Sequence, residues 1–194
     1  YRSGNHVEAL SSFADIYGRC LGSREDVDAE RCGRVRLLVV SHHIRNHSVW
    51  NIVLRGLLRH LDRGRFEVLV YHLGNLEDEE TLFAKSIADV WRDRHTISSA
   101  EGWLEAAKLD RPDVIFYPEI GMASLSYMLA AHRIALLQVA GWGHPITSGL
   151  GTIDLYFSGA LIEPPDAQAH YRERLVCLPG TGCCTDALPT MAEP

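Results

Sequence analysis

Apolar and polar positions along this chain follow two periods. Short, mostly apolar runs, such as Val35–Val40, are followed by stretches whose apolar residues recur at helical spacing. The first pattern is that of a strand buried on both faces, as in a parallel sheet; the second is that of an amphipathic helix. Val35–Val40 predicts a first strand. Ser48–Leu61, with Val49, Ile52, Val53, Leu57 and Leu61 on one face, predicts the helix after it. Phe66–Leu73 predicts a second strand, then a helix over about Asp78–Val90 with Leu82, Phe83, Ile87 and Val90 facing inward. A weak third strand near Val90–His95 leads to a helix that opens at Ser98-Ser99-Ala100-Glu101, a capping-box pattern, and stops at Asp110-Arg111-Pro112. Asp113–Tyr117 and Ala135–Ala140 predict two more buried strands with a helix over Gly121–His132 between them. Asp154–Ser158 and Arg174–Leu178 predict the last two. Strands alternating with helices through short joins imply an α/β fold, a Rossmann-like doubly wound parallel sheet.

The flanks read differently. Tyr1–Cys20 is helically patterned through Ala9, Phe13, Ile16 and Tyr17, and Gly22–Gly33 is a charged linker. The expected organisation is residues 1–33 as the end of a preceding helical region, 34–180 as the α/β domain, and 181–194 as a tail or linker. A start at Tyr1 without Met and a proline-bearing end suggest a piece of something longer. With 194 residues, 46% of them hydrophobic, one core can be buried. A net charge of −6 gives no nucleic-acid footprint. Five cysteines form no C-x-x-C pair, and Cys183-Cys184 are adjacent, which predicts reduced thiols in a cytoplasmic protein. The longest stretch without a formal charge, Ile134–Ile153, is broken by four glycines and a proline, so no membrane span is expected.

The chemistry concentrates after two strands. The turn Ser41-His42-His43-Ile44-Arg45-Asn46-His47 carries three histidines and precedes a helix that Asn46 or Ser48 can cap. Ligands of open α/β sheets sit beyond the carboxyl ends of strands. A histidine there can bind a phosphate or shuttle a proton near neutral pH. The plain alternative is a polar loop histidine bonded to nearby backbone. No carboxylate accompanies His42 and His47, so no metal is expected. There is no G-x-G-x-x-G after the first strand, against a dinucleotide fold. The second candidate is Gly141-Trp142-Gly143-His144-Pro145-Ile146-Thr147-Ser148-Gly149, where glycines allow close approach and Thr147 offers a hydroxyl. Its plain alternative is an ordinary strand-to-helix connection. Glu119 reaches the same rim, as a catalytic base or, more simply, as a helix N-terminal charge. Trp91, Trp103 and Trp142 read as packing.

Together these residues resemble a known family. Val40-Ser41 with Asn46-His47, Phe66-Glu67-Val68 with Tyr71, Arg133, Ala135 and Gln138, Gly143, Pro145, Thr147-Ser148-Gly149 and Asp154, then Tyr171, Glu173, Leu175 and Pro179 stand in an order similar to that of the O-GlcNAc transferase and SPINDLY-like proteins. The related bacterial N-glucosyltransferases that modify adhesins share it. The resemblance implies the amino-terminal half of a GT-B glycosyltransferase that moves a sugar from a UDP donor to a protein or peptide acceptor. It implies His47 as the active-site histidine, His42 as the histidine of the bacterial branch, and His42, His43, Gly143, His144, Pro145 and Thr147 as substrate-binding positions. It implies no cofactor and no metal, tetratricopeptide repeats upstream, and a donor-binding carboxyl-terminal domain after Pro179, without which this chain alone is inactive. His43 stands where the O-GlcNAc transferases carry an acidic residue, and Asn51 where they carry a second histidine. The alternatives are a nucleotide-sugar epimerase of the same architecture, or a non-catalytic module that binds protein or sugar.

Overall fold

Seven parallel strands form the centre of the molecule. The computed structural model describes residues 4–21 and 33–185; all of the linker expected over Gly22–Gly33 except Gly33, and the end of the tail, lie outside them. In chain order the elements are α1 (Val7–Leu21), β1 (Val35–Ser41), α2, β2 (Phe66–His72), α3 (Glu79–Ile87), β3 (Val90–Asp93), α4 (Ala100–Asp110), β4 (Val114–Tyr117), α5 (Ser124–Ala130), β5 (Leu137–Gly141), β6 (Leu155–Gly159), a 3-10 turn (Ala167–His170) and β7 (Arg174–Leu178). Helix α2 joins a π-helical opening, Val49–Leu54, to an α-helical close, Arg55–His60. The strands lie in the order β3-β2-β1-β4-β5-β6-β7, all pairs parallel. This is the expected doubly wound α/β sheet.

Alternation along the strands divides the core between two faces. Leu38, Val40, Leu69, Tyr71, Ile115 and Tyr117 pack with Trp103 and Leu129 of α4 and α5. Leu37, Val39, Val68, Val70, Phe116 and Val139 pack with Trp50, Leu54 and Leu58 of α2. Each fully buried side chain of this size contributes on the order of 1.5–3 kcal/mol. On the second face an apolar cavity of about 540 Å³ opens between Leu57 of α2, Phe116, Val139 and Phe157 of the sheet, Pro179 just after β7, and Cys184 of the tail. Among the described residues no helix is long and apolar enough to cross a membrane.

Several helices differ in phase from their sequence pattern. The π-helical opening of α2 turns Trp50 inward, fully buried, and leaves Ile52 exposed. In α3 Phe83 and Ile87 pack inward as expected, with Thr81 and Ala84 fully buried beside them, while Leu82 is exposed. Helix α5 is shorter than Gly121–His132, because Gly121 has φ +101 and ends the turn after β4 outside the helical region. Ser99 caps α4 through the Gly102 amide at 3.0 Å, and Arg111 in the left-handed region at φ 44 ends it before Pro112. The reciprocal capping box lies instead at Asp78 and Thr81 of α3. In α1 the residues on the domain are Leu10, Ala14 and Tyr17, while Phe13 and Ile16 are exposed.

Candidate functional site

The chain leaves β1 for α2 on one face of the sheet and leaves β4 for α5 on the other. Connections that part in this way open a crevice at the carboxyl ends of two adjacent strands. The β1–β4 ladder ends at Val39↔Phe116, so the backbone beyond it is free to line that opening. On one side stands the histidine turn, on the other Pro118–Gly121.

Three elements fix the turn's backbone. From β4, the Glu119 carboxylate accepts the His42 amide at 2.7 Å. From α3, Asp78 accepts the Asn46 amide at 2.7 Å and the Thr81 hydroxyl donates to the Ile44 carbonyl at 2.7 Å. From α2, the Asn51 amide donates to the His47 carbonyl at 2.9 Å. The expected cap by Asn46 or Ser48 is not formed. Ser48 makes no cap bond, and the Asn46 side chain accepts from Asn51 Nδ2 at 2.9 Å. His47 caps the helix itself, its Nδ1 accepting the Val49 amide at 3.2 Å. That bond sets the tautomer: Nε2 carries the hydrogen and is a donor.

The rings are held less completely than the backbone. His43 and His47 stack with centroids 4.1 Å apart and planes 14° apart, and His42 meets His43 edge-on at 5.5 Å. Both ring nitrogens of His43 and Nδ1 of His42 are shielded from solvent and have no hydrogen-bond partner among the described residues. Burial, aided by His47, His42, Arg45 and His72, pushes the His43 imidazole down to about 4. Burial lowers His42, with help from Arg94 and Arg45. His47 is lowered by burial and Arg45. All three are therefore neutral at pH 7, able to donate or accept a proton but not acting as fixed cations. Among the described residues no group of three His, Cys, Asp or Glu side chains is placed to hold a metal ion.

The loop after β5 divides in two. Its first half reaches the crevice. A Cβ at Gly143 would stand 2.6 Å from the Pro118 carbonyl oxygen and 3.3 Å from Val49. The His144 ring lies on Gly121, where a Cβ would meet it at 2.9 Å, and burial lowers its pKa. Pro145 is exposed beside it. The second half turns inward. Thr147 is buried, its hydroxyl donating to Glu173 at 2.6 Å and accepting the Gly149 and Arg172 amides at 3.2 Å each. The structure thus brings His42, His43, His47, Gly143 and His144 to one rim and places the Thr147 hydroxyl away from it.

Two further residues stand on the rim: Glu119, as its place after a buried strand implies, and His72, which carried little sequence signal. His72, at the end of β2 opposite Ser41, is fully buried, with Nδ1 unpartnered and Nε2 against the Leu76 carbonyl at 3.2 Å. Glu119 is 1% exposed, and burial raises its carboxyl to about 7. His72 closes an apolar strand and reads there as its last residue; only the sheet register brings it beside Ser41.

No family model matches the chain. A probable UDP-N-acetylglucosamine–peptide N-acetylglucosaminyltransferase SPINDLY from Oryza sativa subsp. japonica is 30% identical over 147 residues, 74% of this chain. The protein of the same name from Solanum lycopersicum is 29% identical over the same length. The chain spans 16% of the length of each of these relatives. Among solved structures, a mutant O-GlcNAc transferase from Thermobaculum terrenum superposes with a TM-score of 0.80 at 24% identity, covering 94% of this chain and 35% of that one. The shared fold is the Rossmann-like sheet of a GT-B enzyme. Over the region they share, this chain is a homologue of the SPINDLY-type O-GlcNAc transferases.

Proposed function

We propose that this chain is the amino-terminal half of a GT-B glycosyltransferase that moves a sugar from a UDP donor to a protein side chain. The observation that carries it is the stacked His43–His47 pair, with both ring nitrogens of His43 unpartnered among the described residues, at the crevice between β1 and β4. Transfer forms a bond from the acceptor atom to the sugar's anomeric carbon and breaks the bond to UDP. The acceptor loses a proton and the leaving diphosphate gains charge. His47, with Nε2–H free, acts as donor to the diphosphate or to a substrate oxygen. The open lone pairs of His42 and His43 are the proton acceptors nearest to it. Gly143, His144 and Pro145 shape the opposite wall. No metal takes part in this scheme, and turnover persists in a chelator.

The organisation follows the same proposal. Residues 1–33 end a preceding helical region, 34–180 form this half, and 181–194 lead to the donor-binding half. Docking of α1 on the domain, through Asp15 and Arg172 at 2.6 Å, supports the first part. So does the exposed Ile16, which a preceding helix would cover. In this scheme the protein acts in the cytoplasm, and the half described here is inactive alone.

The test joins the chain to the segment that follows it in its natural protein and measures UDP release from several UDP-sugars with a peptide acceptor. His47→Ala is expected to lower kcat by about a hundredfold or more. Turnover that survives this change would move the chemistry to His43 or His42. No turnover with any donor would favour a non-catalytic binding module.

A further inference from the structure

The end of β4 bears a carboxyl group for which the transfer scheme has no use. Glu119 is 1% exposed. Its Oε1 accepts the His42 amide at 2.7 Å, and its other polar neighbour is the Ser41 hydroxyl. That hydroxyl's oxygen accepts the His43 amide at 3.0 Å. Oε2 is buried with no partner among the described residues. These bonds lie past the last β1–β4 ladder pair, Val39↔Phe116. They therefore span the crevice where the two strands have ceased to hold each other. A buried carboxyl with one oxygen left without a partner is costly, and a fold that needed only stability would be served as well by an apolar residue there.

We propose that Glu119 is the positioning residue of the histidine turn, holding the His42 amide directly and the His43 amide through Ser41, and so fixing where both imidazoles stand. The kinetic consequence rests on the transfer reaction proposed above; the structural one does not. The groups that face Glu119 are few. The turn after β1 presents Ser41 and the His42 amide, with the His42 and His43 rings and Arg45 beyond them. The loop after β5 presents His144, lying on Gly121 two residues along. Burial raises the Glu119 carboxyl, and the His42 amide and Ser41 hydroxyl oppose it, so the group ionises near neutral pH. Its ionisation strengthens the bond from the His42 amide and, through Ser41, alters the bond from His43.

The test follows the backbone amide resonances of His42 and His43 in the 194-residue chain from about pH 5 to about pH 9. Both are expected to shift together with an inflection at about 7. Glu119→Gln, which keeps an acceptor and cannot ionise, abolishes that inflection at both amides. Ser41→Ala keeps it at His42 and removes it at His43. An inflection that survives Glu119→Gln, or none in the unaltered chain, overturns the proposal. In the two-domain protein, Glu119→Ala is expected to lower kcat about tenfold to a hundredfold with donor KM little changed, and Glu119→Gln to restore part of it. Unaltered kcat in Glu119→Ala also overturns the proposal. Absence of turnover in the unaltered two-domain protein refutes glycosyl transfer and leaves the amide result to decide the positioning role.

Discussion

The turn after β1 and the loop after β5 are alike in sequence terms: both follow a buried strand, both are polar, and both lie on the same rim. Their hydrogen bonds differ. In the histidine turn the backbone is anchored by Glu119, Asp78 and Thr81 while the ring nitrogens of His43 stay open. In the second half of the β5 loop the side chains are closed off. Thr147 and Ser148 both donate their hydroxyls to Glu173, and the Ser148 amide joins them at 2.8 Å. Buried polar groups in proteins are normally satisfied, so an unsatisfied one in a crevice is the better mark of chemistry. The polar loop residues that look most like a ligand site in sequence are here part of the scaffold.

Removing Glu173 is the strongest way to break that contrast. The carboxylate is 2% exposed and takes three donors from the loop. Glu173→Ala strands those donors and is expected to cost about 3 kcal/mol. For a chain of this size that lowers Tm by roughly 6–12 °C. Thermal unfolding by circular dichroism measures it; a loss of less than about 1 kcal/mol would show that the loop does not depend on this anchor.

Two glycines of the same loop sharpen the comparison at smaller cost. Gly149 has φ +69, and a Cβ there would stand 2.5 Å from the carbonyl of Leu10 in α1. Gly149→Ala should destabilise by about 1–2 kcal/mol and loosen α1, exposing Arg19 to trypsin. Gly143 has no such backbone conformation, but its Cβ would press on the Pro118 carbonyl. Gly143→Ala should therefore leave α1 protected and shift the resonances of His42 and His43 across the crevice. If both variants disturb the same region, the loop is one unit and the division is wrong.

The sheet was legible because the central strands are mostly apolar, and that pattern needs no tertiary information. The histidine turn was legible for a similar reason, since the residues that form it are contiguous. What could not be read is whatever a distant residue decides. Thr147 offers a hydroxyl in sequence, and only the fold brings Glu173 to consume it. His72 enters the cluster through its register with Ser41, and Glu119, readable as a rim residue, shows its partner, the His42 amide 77 positions away, only in the fold. The inward face of α2 was misread at Ile52 because a π-helical turn has its own period, which an α-helical template does not include.

The smallest effects concern pH, and they separate the two regions by the shape of a curve. Burial holds His43 at about 4, below its unfolded value of 6.5, so between these limits the unfolded chain binds more protons and stability falls on acidification. Burial holds Glu119 at about 7, above the ordinary 4.5, so over nearly the same window the folded chain binds more protons and stability rises on acidification. His42, His47, His72 and His144 are lowered by burial as well and add to the histidine slope, so the carboxyl offsets only part of it and the urea midpoint of the unaltered chain should fall on acidification. Glu119→Gln should steepen that fall, and His43→Gln should make it shallower. Each change is below about 1.4 kcal/mol per pH unit, the one-proton limit, and solvent reaching His43 reduces its share further. Gly149→Ala should lower the whole curve without bending it, since the strain it adds carries no proton. Curves that bend the same way in the Glu119 and His43 variants would mean that the crevice does not hold these two groups in opposing protonation environments.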